Sequence, residues 1–252
     1  MKQESDKQTV LVGLPKGRFF QDSCRIMRHF IPQFDASSRQ LSFTADVANT
    51  EIVFKFMKMP DIARLLDEGR IDLGILCDEW SCEFGLEART GKPLNWCEST
   101  IALAAAPHWK EQGIEDIDRI ATSFPRLARQ LVQNSAPSAK IVAISGSVES
   151  ALPELADALI DCVETGSTLR ANGLVPLQWY VKTNVRTVFA RKRLSGFVRE
   201  LADVFEKVGA LNHVPIPSPL SAAIPSLIGD RSYVSPGYSD QSSRVLFQAT
   251  LG

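Results

Sequence analysis

Short apolar runs separated by stretches of helical periodicity recur along most of this chain, and few architectures tolerate that rhythm. Val10–Leu14, Ile52–Met57, Ile71–Leu76, Ile101–Ala106, Lys140–Ile144 and Ala158–Val163 are long enough for strands and too short for helices. Between them, amphipathic patterns at Phe19–Phe30, Ile62–Glu68, Leu127–Val132 and Phe197–Val208 predict helices. In the last of these, Phe197, Leu201, Val204, Phe205 and Val208 make one apolar stripe, which is a core-packing pattern. Alternation of this kind predicts an α/β protein with largely parallel sheets. After Val208 the rhythm stops. Residues 209–252 hold Pro215, Pro217, Pro219, Pro225 and Pro236 among many serines, and only Arg244–Ala249 reads as a strand, so this tail is expected to be a wrapping arm or partly disordered.

Charge decides what kind of partner to look for. Lys+Arg 28 against Asp+Glu 29 gives a formal charge of −1, so no global basic field of the kind that holds nucleic acid is present. Any anion must be caught locally. The five cysteines, Cys24, Cys77, Cys82, Cys97 and Cys162, lack CxxC spacing and sit mostly in apolar runs, as reduced cytosolic thiols do. His29, His108 and His213 are far apart and form no ligand pair, so no protein metal site is expected. The polar start of the chain leads straight into a strand, and no apolar span of ~20 residues occurs, which predicts a cytoplasmic protein with no membrane association.

Three strand-to-helix turns suit anions. In the first, Asp161 and Glu164 precede Thr165-Gly166-Ser167-Thr168, which opens a helix after the strand Ala158–Val163. Hydroxyls and unpaired amides at a helix start cradle phosphate, and carboxylates just before them can accept hydrogen bonds from sugar hydroxyls. That order suits a 5-phosphoribosyl 1-pyrophosphate site, although an ordinary capped turn has the same local look. In the second, Lys16, Gly17 and Arg18 follow the strand Val10–Leu14, offering a point charge and a bidentate fork to polyphosphate oxygens. The third is Ile144-Ser145-Gly146-Ser147-Val148-Glu149, which taken alone reads as a serine-capped helix. Ligands of open α/β sheets gather beyond the carboxyl ends of strands, so one shared cleft is the simplest arrangement. GxxxxGK[ST], GxGxxG after a strand, and GxSxG are all missing, which removes the P-loop, Rossmann and nucleophile-elbow readings.

Five ordered segments, Leu14–Arg18, Asp72-Leu73-Gly74-Ile75, Phe124-Pro125-Arg126-Leu127, Ser145–Glu149 and Asp161–Leu174, resemble the ATP phosphoribosyltransferase family of histidine biosynthesis over about residues 9–208. The resemblance implies a fold like the type II periplasmic binding proteins, two α/β lobes with the active site in the interlobe cleft. It divides the chain into lobe I (1–98 plus 183–208), lobe II (99–182) and the tail 209–252. It implies transfer of the 5-phosphoribosyl group from phosphoribosyl pyrophosphate to N1 of ATP, giving phosphoribosyl-ATP and pyrophosphate, with Mg²⁺ carried by pyrophosphate. By similarity, Lys16, Arg18 and Arg39 form the catalytic positive wall. Asp161, Glu164, Thr165, Gly166, Ser167 and Thr168 bind phosphoribosyl pyrophosphate, and Lys16, Gly17, Arg18, Asp78 and Glu149 contact ATP. Lys58 stands where the family usually has Arg, and Leu76-Cys77 where it has Thr-Gly. A short-form catalytic subunit is expected, forming a dimer or higher oligomer and working with a regulatory subunit resembling histidyl-tRNA synthetase. The alternative is a catalytically silent paralogue that binds a phosphorylated metabolite.

Overall fold

The structure, a computed structural model, describes residues 8–47, 49–190 and 195–210. Along these residues run β1 (Gln8–Pro15), α1 (Phe20–Phe30), β2 (Ser42–Val47), β3 (Thr50–Met57), α2 (Met59–Asp67), β4 (Leu73–Cys77), α3 (Asp78–Glu83) and β5 (Thr90–Ala105). They continue with α4 (Trp109–Gln112), β6 (Arg119–Thr122), α5 (Pro125–Val132), β7 (Lys140–Ala143), β8 (Ala158–Val163), α6 (Ser167–Ala171), β9 (Val175–Phe189) and α7 (Gly196–Ala210). The chain forms two compact units. The first holds the described chain up to Cys97 and from Asn184 onward, and the second holds Glu98–Thr183. β5 and β9 each start in one unit and end in the other.

In the first unit the strand order is β2-β3-β1-β4-β9. β1 pairs in parallel with β3 and β4, while β2 and β9 run antiparallel to their neighbours. One face packs Val12, Leu14, Ile52, Phe54 and Ile75 against Cys24 and Met27 of α1 and Leu201 and Phe205 of α7. The stripe predicted on Phe197–Val208 therefore does core work, with Val198 and Ala202 joining it where Val204 is only half-buried. The other face carries Ile62, Ala63 and Leu66 of α2. Gly13 and Gly74 face each other across β1 and β4 beneath this helix. A Cβ on Gly74 would lie 2.5 Å from Ile62 Cγ2, so the missing side chain is what lets α2 lie close to the sheet.

In the second unit the order is β5-β8-β6-β7, with β6 parallel to β7 and β8, and β5 antiparallel to β8. Its core joins Ala102, Ala104, Ala121, Leu159 and Val163 with Val148, Leu169 and Leu174. Among the described residues, no helix is long and apolar enough to cross a membrane.

Both units are mixed sheets, where the apolar runs alone suggested largely parallel ones. β2, β6 and β9 escaped that criterion for separate reasons. β6 has only four residues, β2 is an edge strand with half of its positions exposed, and β9 buries Thr183, Arg186 and Thr187 among its apolar residues. The segment Val148–Ala151 is a 3-10 turn, so the serine-capped helix expected there is replaced, and Ser147 makes no capping bond. The proline-rich stretch after Ala210, with the strand expected at Arg244–Ala249, lies outside the described residues.

Candidate functional site

Strand direction gathers the predicted cations of the first unit at one edge. β1, β3 and β4 are parallel, so their carboxyl ends point the same way, and the Lys16 amide bonds the Met57 carbonyl at 2.9 Å where β1 ends beside β3. Gly17–Phe19 then form a 3-10 turn ahead of α1. Because β2 runs antiparallel to β3, the start of β2 lies at this same edge, with the Phe56 amide bonded to the Leu41 carbonyl at 2.9 Å. Arg39, two residues before Leu41, is exposed there, as are Lys16 and Arg18. Lys58 is exposed just before α2, at the end of β3. The Arg18 guanidinium lies over the Phe19 ring, 4.4 Å from its centroid, and its Nη2 donates to Cys97 Sγ at 3.4 Å. Four cations on one edge, none more than partly covered, can meet a polyphosphate.

Asp78, expected as an ATP contact, has partners inside the first unit. It opens α3 but is buried, and both carboxylate oxygens are committed within the unit. Oδ2 accepts from the Asn184 amide at 2.9 Å, and Oδ1 from Arg186 Nε at 2.9 Å. Arg186 Nη1 in turn donates to the Gly91 carbonyl at 3.2 Å. Burial pushes the Asp78 carboxyl above its ordinary range, and Arg186 and the Asn184 amide offset that only in part. Asp78 is thus a brace joining α3, β9 and β5, at the residue where the chain re-enters the first unit. The Leu76-Cys77 departure also resolves into packing, since both side chains are buried core, and burial drives the Cys77 thiol well above its usual value.

In the second unit, β6 lies between β7 and β8 and parallel to both, so the loops after all three strands leave one edge. Thr122 Oγ1 accepts from the Phe124 amide at 3.0 Å, and Ser123 Oγ donates to the Ile144 carbonyl at 2.9 Å, which ties the β6 loop to the β7 loop. Glu149 is half-buried in the 3-10 turn after β7. Asp161 lies in β8 opposite Ala102, with Oδ1 accepting from the Cys162 amide at 2.7 Å, and Glu164 follows the last residue of the strand.

Gly166 adopts φ +68° at the N-cap of α6, a left-handed conformation that favours glycine. It turns the chain sharply so that Ser167 and Thr168 open the helix. Thr165 Oγ1 donates to Ser167 Oγ at 3.0 Å and accepts from the Ser167 amide at 3.3 Å, while Arg170 Nη1 donates to the Thr165 carbonyl at 3.0 Å. One predicted phosphate donor, the Ser167 amide, is therefore used inside the turn. The first i→i−4 bond of α6 runs from the Arg170 amide to the Gly166 carbonyl at 3.0 Å, so the amides of Thr168 and Leu169 precede it and lack intrahelical acceptors. Thr168 is exposed beside them.

The predicted residues thus collect into two edges, Lys16, Gly17, Arg18 and Arg39 in the first unit and Glu149 with Asp161–Thr168 in the second. Sequence reading missed Arg186 and Cys97, whose partners are 108 and 79 residues away and leave no local signal. Among the described residues, no three His, Cys, Asp or Glu side chains gather as metal ligands.

A family model described as ATP phosphoribosyltransferase matches residues 58–208. The chain belongs to the ATP phosphoribosyltransferase family. The match spans the β4 glycine, the β6 and β7 loops and the whole Thr-Gly-Ser-Thr turn, and it begins after the Lys16–Arg18 turn. Relatives extend it toward the amino end. An ATP phosphoribosyltransferase of Clostridium novyi is 29% identical over 203 residues, covering 79% of this chain and 96% of that one. One of Shouchella clausii is 27% identical over 216 residues, covering 81% and 100%.

Solved structures agree on the fold. The ATP phosphoribosyl transferase (HisG:HisZ) complex from Thermotoga maritima matches with TM-score 0.62 at 23% identity, over 79% of this chain and 99% of that one. A Candida albicans protein described as having the generic periplasmic binding protein structural fold matches with TM-score 0.57 at 10% identity, over 96% and 89%. The chain is an α/β protein of that periplasmic-binding-protein-like class.

Proposed function

We propose that this chain transfers the 5-phosphoribosyl group to ATP with the two edges in complementary roles, Thr165–Thr168 holding the 5-phosphate and Lys16, Arg18 and Arg39 meeting polyphosphate. The observation that carries the reading is the acidic strand end followed by a left-handed glycine and a short helix, within the segment that the family model matches. In this reading Asp161 and Glu164 accept hydrogen bonds from the ribose hydroxyls, and Glu149, from the adjacent loop, contacts the nucleotide.

The chemistry suits residues of this kind. Adenine N1 already carries a lone pair at neutral pH, so it needs orientation more than deprotonation. Its attack forms the bond to C1 of the sugar as the C1–oxygen bond to pyrophosphate breaks, and negative charge collects on the departing group. Preorganised cations aimed at that charge lower the barrier more than they strengthen ground-state binding. No carboxylate cage for magnesium exists among the described residues. Mg²⁺ would arrive on the pyrophosphate oxygens and help neutralise them, and no step assigned to the protein depends on it.

We further propose that the chain is a short-form catalytic subunit, oligomeric and cytoplasmic, that works with a subunit resembling histidyl-tRNA synthetase. The complex in which the Thermotoga maritima relative was solved supports this reading. No observation favours the catalytically silent alternative. The decisive experiment follows phosphoribosyl-ATP formation spectroscopically, with pyrophosphatase present, for the chain alone and with such a partner. Turnover in either mixture is expected, and tight substrate binding without turnover in both would overturn the proposal. Within the site, Thr168→Val is expected to weaken phosphoribosyl pyrophosphate binding by about 1–3 kcal/mol through loss of one phosphate donor. Unchanged affinity by calorimetry would remove the turn from the site.

A further inference from the structure

We infer that Cys97 is a positioning residue that holds the Arg18 guanidinium in its working orientation, an inference that rests on reading Arg18 as a polyphosphate cation. Arg18 is exposed at the edge where β1 ends, and an arginine left to solvent samples many rotamers. Contacts to Phe19 and Cys97 restrict it. Its guanidinium carbon lies 4.4 Å from the centre of the Phe19 ring, and Nη2 donates to Cys97 Sγ at 3.4 Å, across 79 residues of sequence.

Both supports are themselves fixed. Phe19 and Trp96 are buried, with ring centroids 6.2 Å apart. Trp96 directly precedes Cys97 on β5. A Cβ on Gly209 of α7 would reach to 3.1 Å from Trp96 Nε1, so helix and strand are closely packed there.

A thiol suits this task. Sulfur is a soft, weak acceptor, so it can orient the fork without cancelling its charge, whereas a carboxylate would compete with phosphate for the same donors. Cys97 touches no reacting atom in this reading and acts only through Arg18.

The test is a double-mutant cycle on the full chain, assayed with its partner subunit. Wild type, Cys97→Ala, Arg18→Ala and the double variant are compared by kcat, by KM for each substrate and by denaturation midpoint, with Cys97→Ser as the conservative variant. Cys97→Ala is expected to lower kcat about threefold to tenfold while both KM values stay within about twofold, and to add nothing once Arg18 is alanine. Cys97→Ser, which retains an acceptor, is expected to recover most of the loss. A Cys97→Ala defect that multiplies with that of Arg18→Ala, or one that tracks a lowered midpoint and is not rescued by serine, would overturn the inference while leaving Arg18 in the site. Wild-type kcat in Cys97→Ala would do the same. Wild-type kcat and KM in Arg18→Ala would instead reject the assignment of Arg18, and the inference with it.

Discussion

Arg186→Met is expected to destabilise the protein by about 3–5 kcal/mol, because it leaves the buried Asp78 carboxylate facing Asn184 without its cation. Side-chain exposures of 9% and 12% put this pair in a different regime from the exposed Arg64 pairs with Asp61 and Glu68, each worth less than about 1 kcal/mol. Removing both charges together should cost less than removing Arg186 alone. Asp78→Leu with Arg186→Met exchanges an ion pair for apolar contact, and such exchanges are often neutral or stabilising. The losses that remain are the acceptor for the Asn184 amide, about 1–3 kcal/mol, and the donor to the Gly91 carbonyl. Urea denaturation of the two singles and the double decides the matter. Single variants no less stable than the double would show that the pair is not a coupled unit.

The pH dependence of this brace has a definite sign. Burial is the largest influence on Asp78 and raises its carboxyl in the folded state above the ordinary value of 3.8. The native protein therefore binds that proton more tightly than the unfolded chain does. The contribution is fully present below the ordinary value and is lost as pH rises through the higher folded one. Relative to Asp78→Asn, the wild type should lose stability as pH rises across that window. The opposite slope would mean that Arg186 outweighs burial.

Legibility from sequence followed the range of the interactions. Ala158–Val163 is readable to the residue because a mostly apolar run holding one acid, Asp161, then Glu164 and Thr-Gly-Ser-Thr, is encoded within a dozen consecutive positions. The α7 stripe was readable for the same reason, periodicity being local. Arg39 was placed by resemblance alone. Its physical placement comes from β2 running antiparallel to β3, and β2 is an edge strand that the apolar pattern did not show. The partner of Asp78 is not legible locally, because an acid opening a helix after a strand looks the same whether it faces a ligand or, as here, an arginine 108 residues later. The Ser167 amide is a smaller case. The sequence displays four residues suited to a phosphate, and only the geometry shows Thr165 Oγ1 already using one of their donors.

Arg18→Ala is expected to lower turnover about 100- to 1000-fold, the scale seen when one preorganised donor to a developing charge is removed. Folding should not confuse the result, since Arg18 is exposed and surface substitutions usually change stability by no more than about 0.5 kcal/mol. The division between kcat and KM carries the mechanism. Pyrophosphate is already anionic when bound, so a cation serving capture alone would strengthen ground and transition states alike, and its loss would raise KM only. A cation aimed at the bridging oxygen meets charge that appears only as the C1–oxygen bond breaks, and its loss falls on kcat. Arg18→Lys separates charge from shape. It keeps the charge but replaces a planar fork held over Phe19 with a flexible ammonium, and should recover only part of the rate. Full recovery by lysine would reduce the role of Arg18 to a point charge, and a raised KM at normal kcat would move it from the departing group to substrate capture.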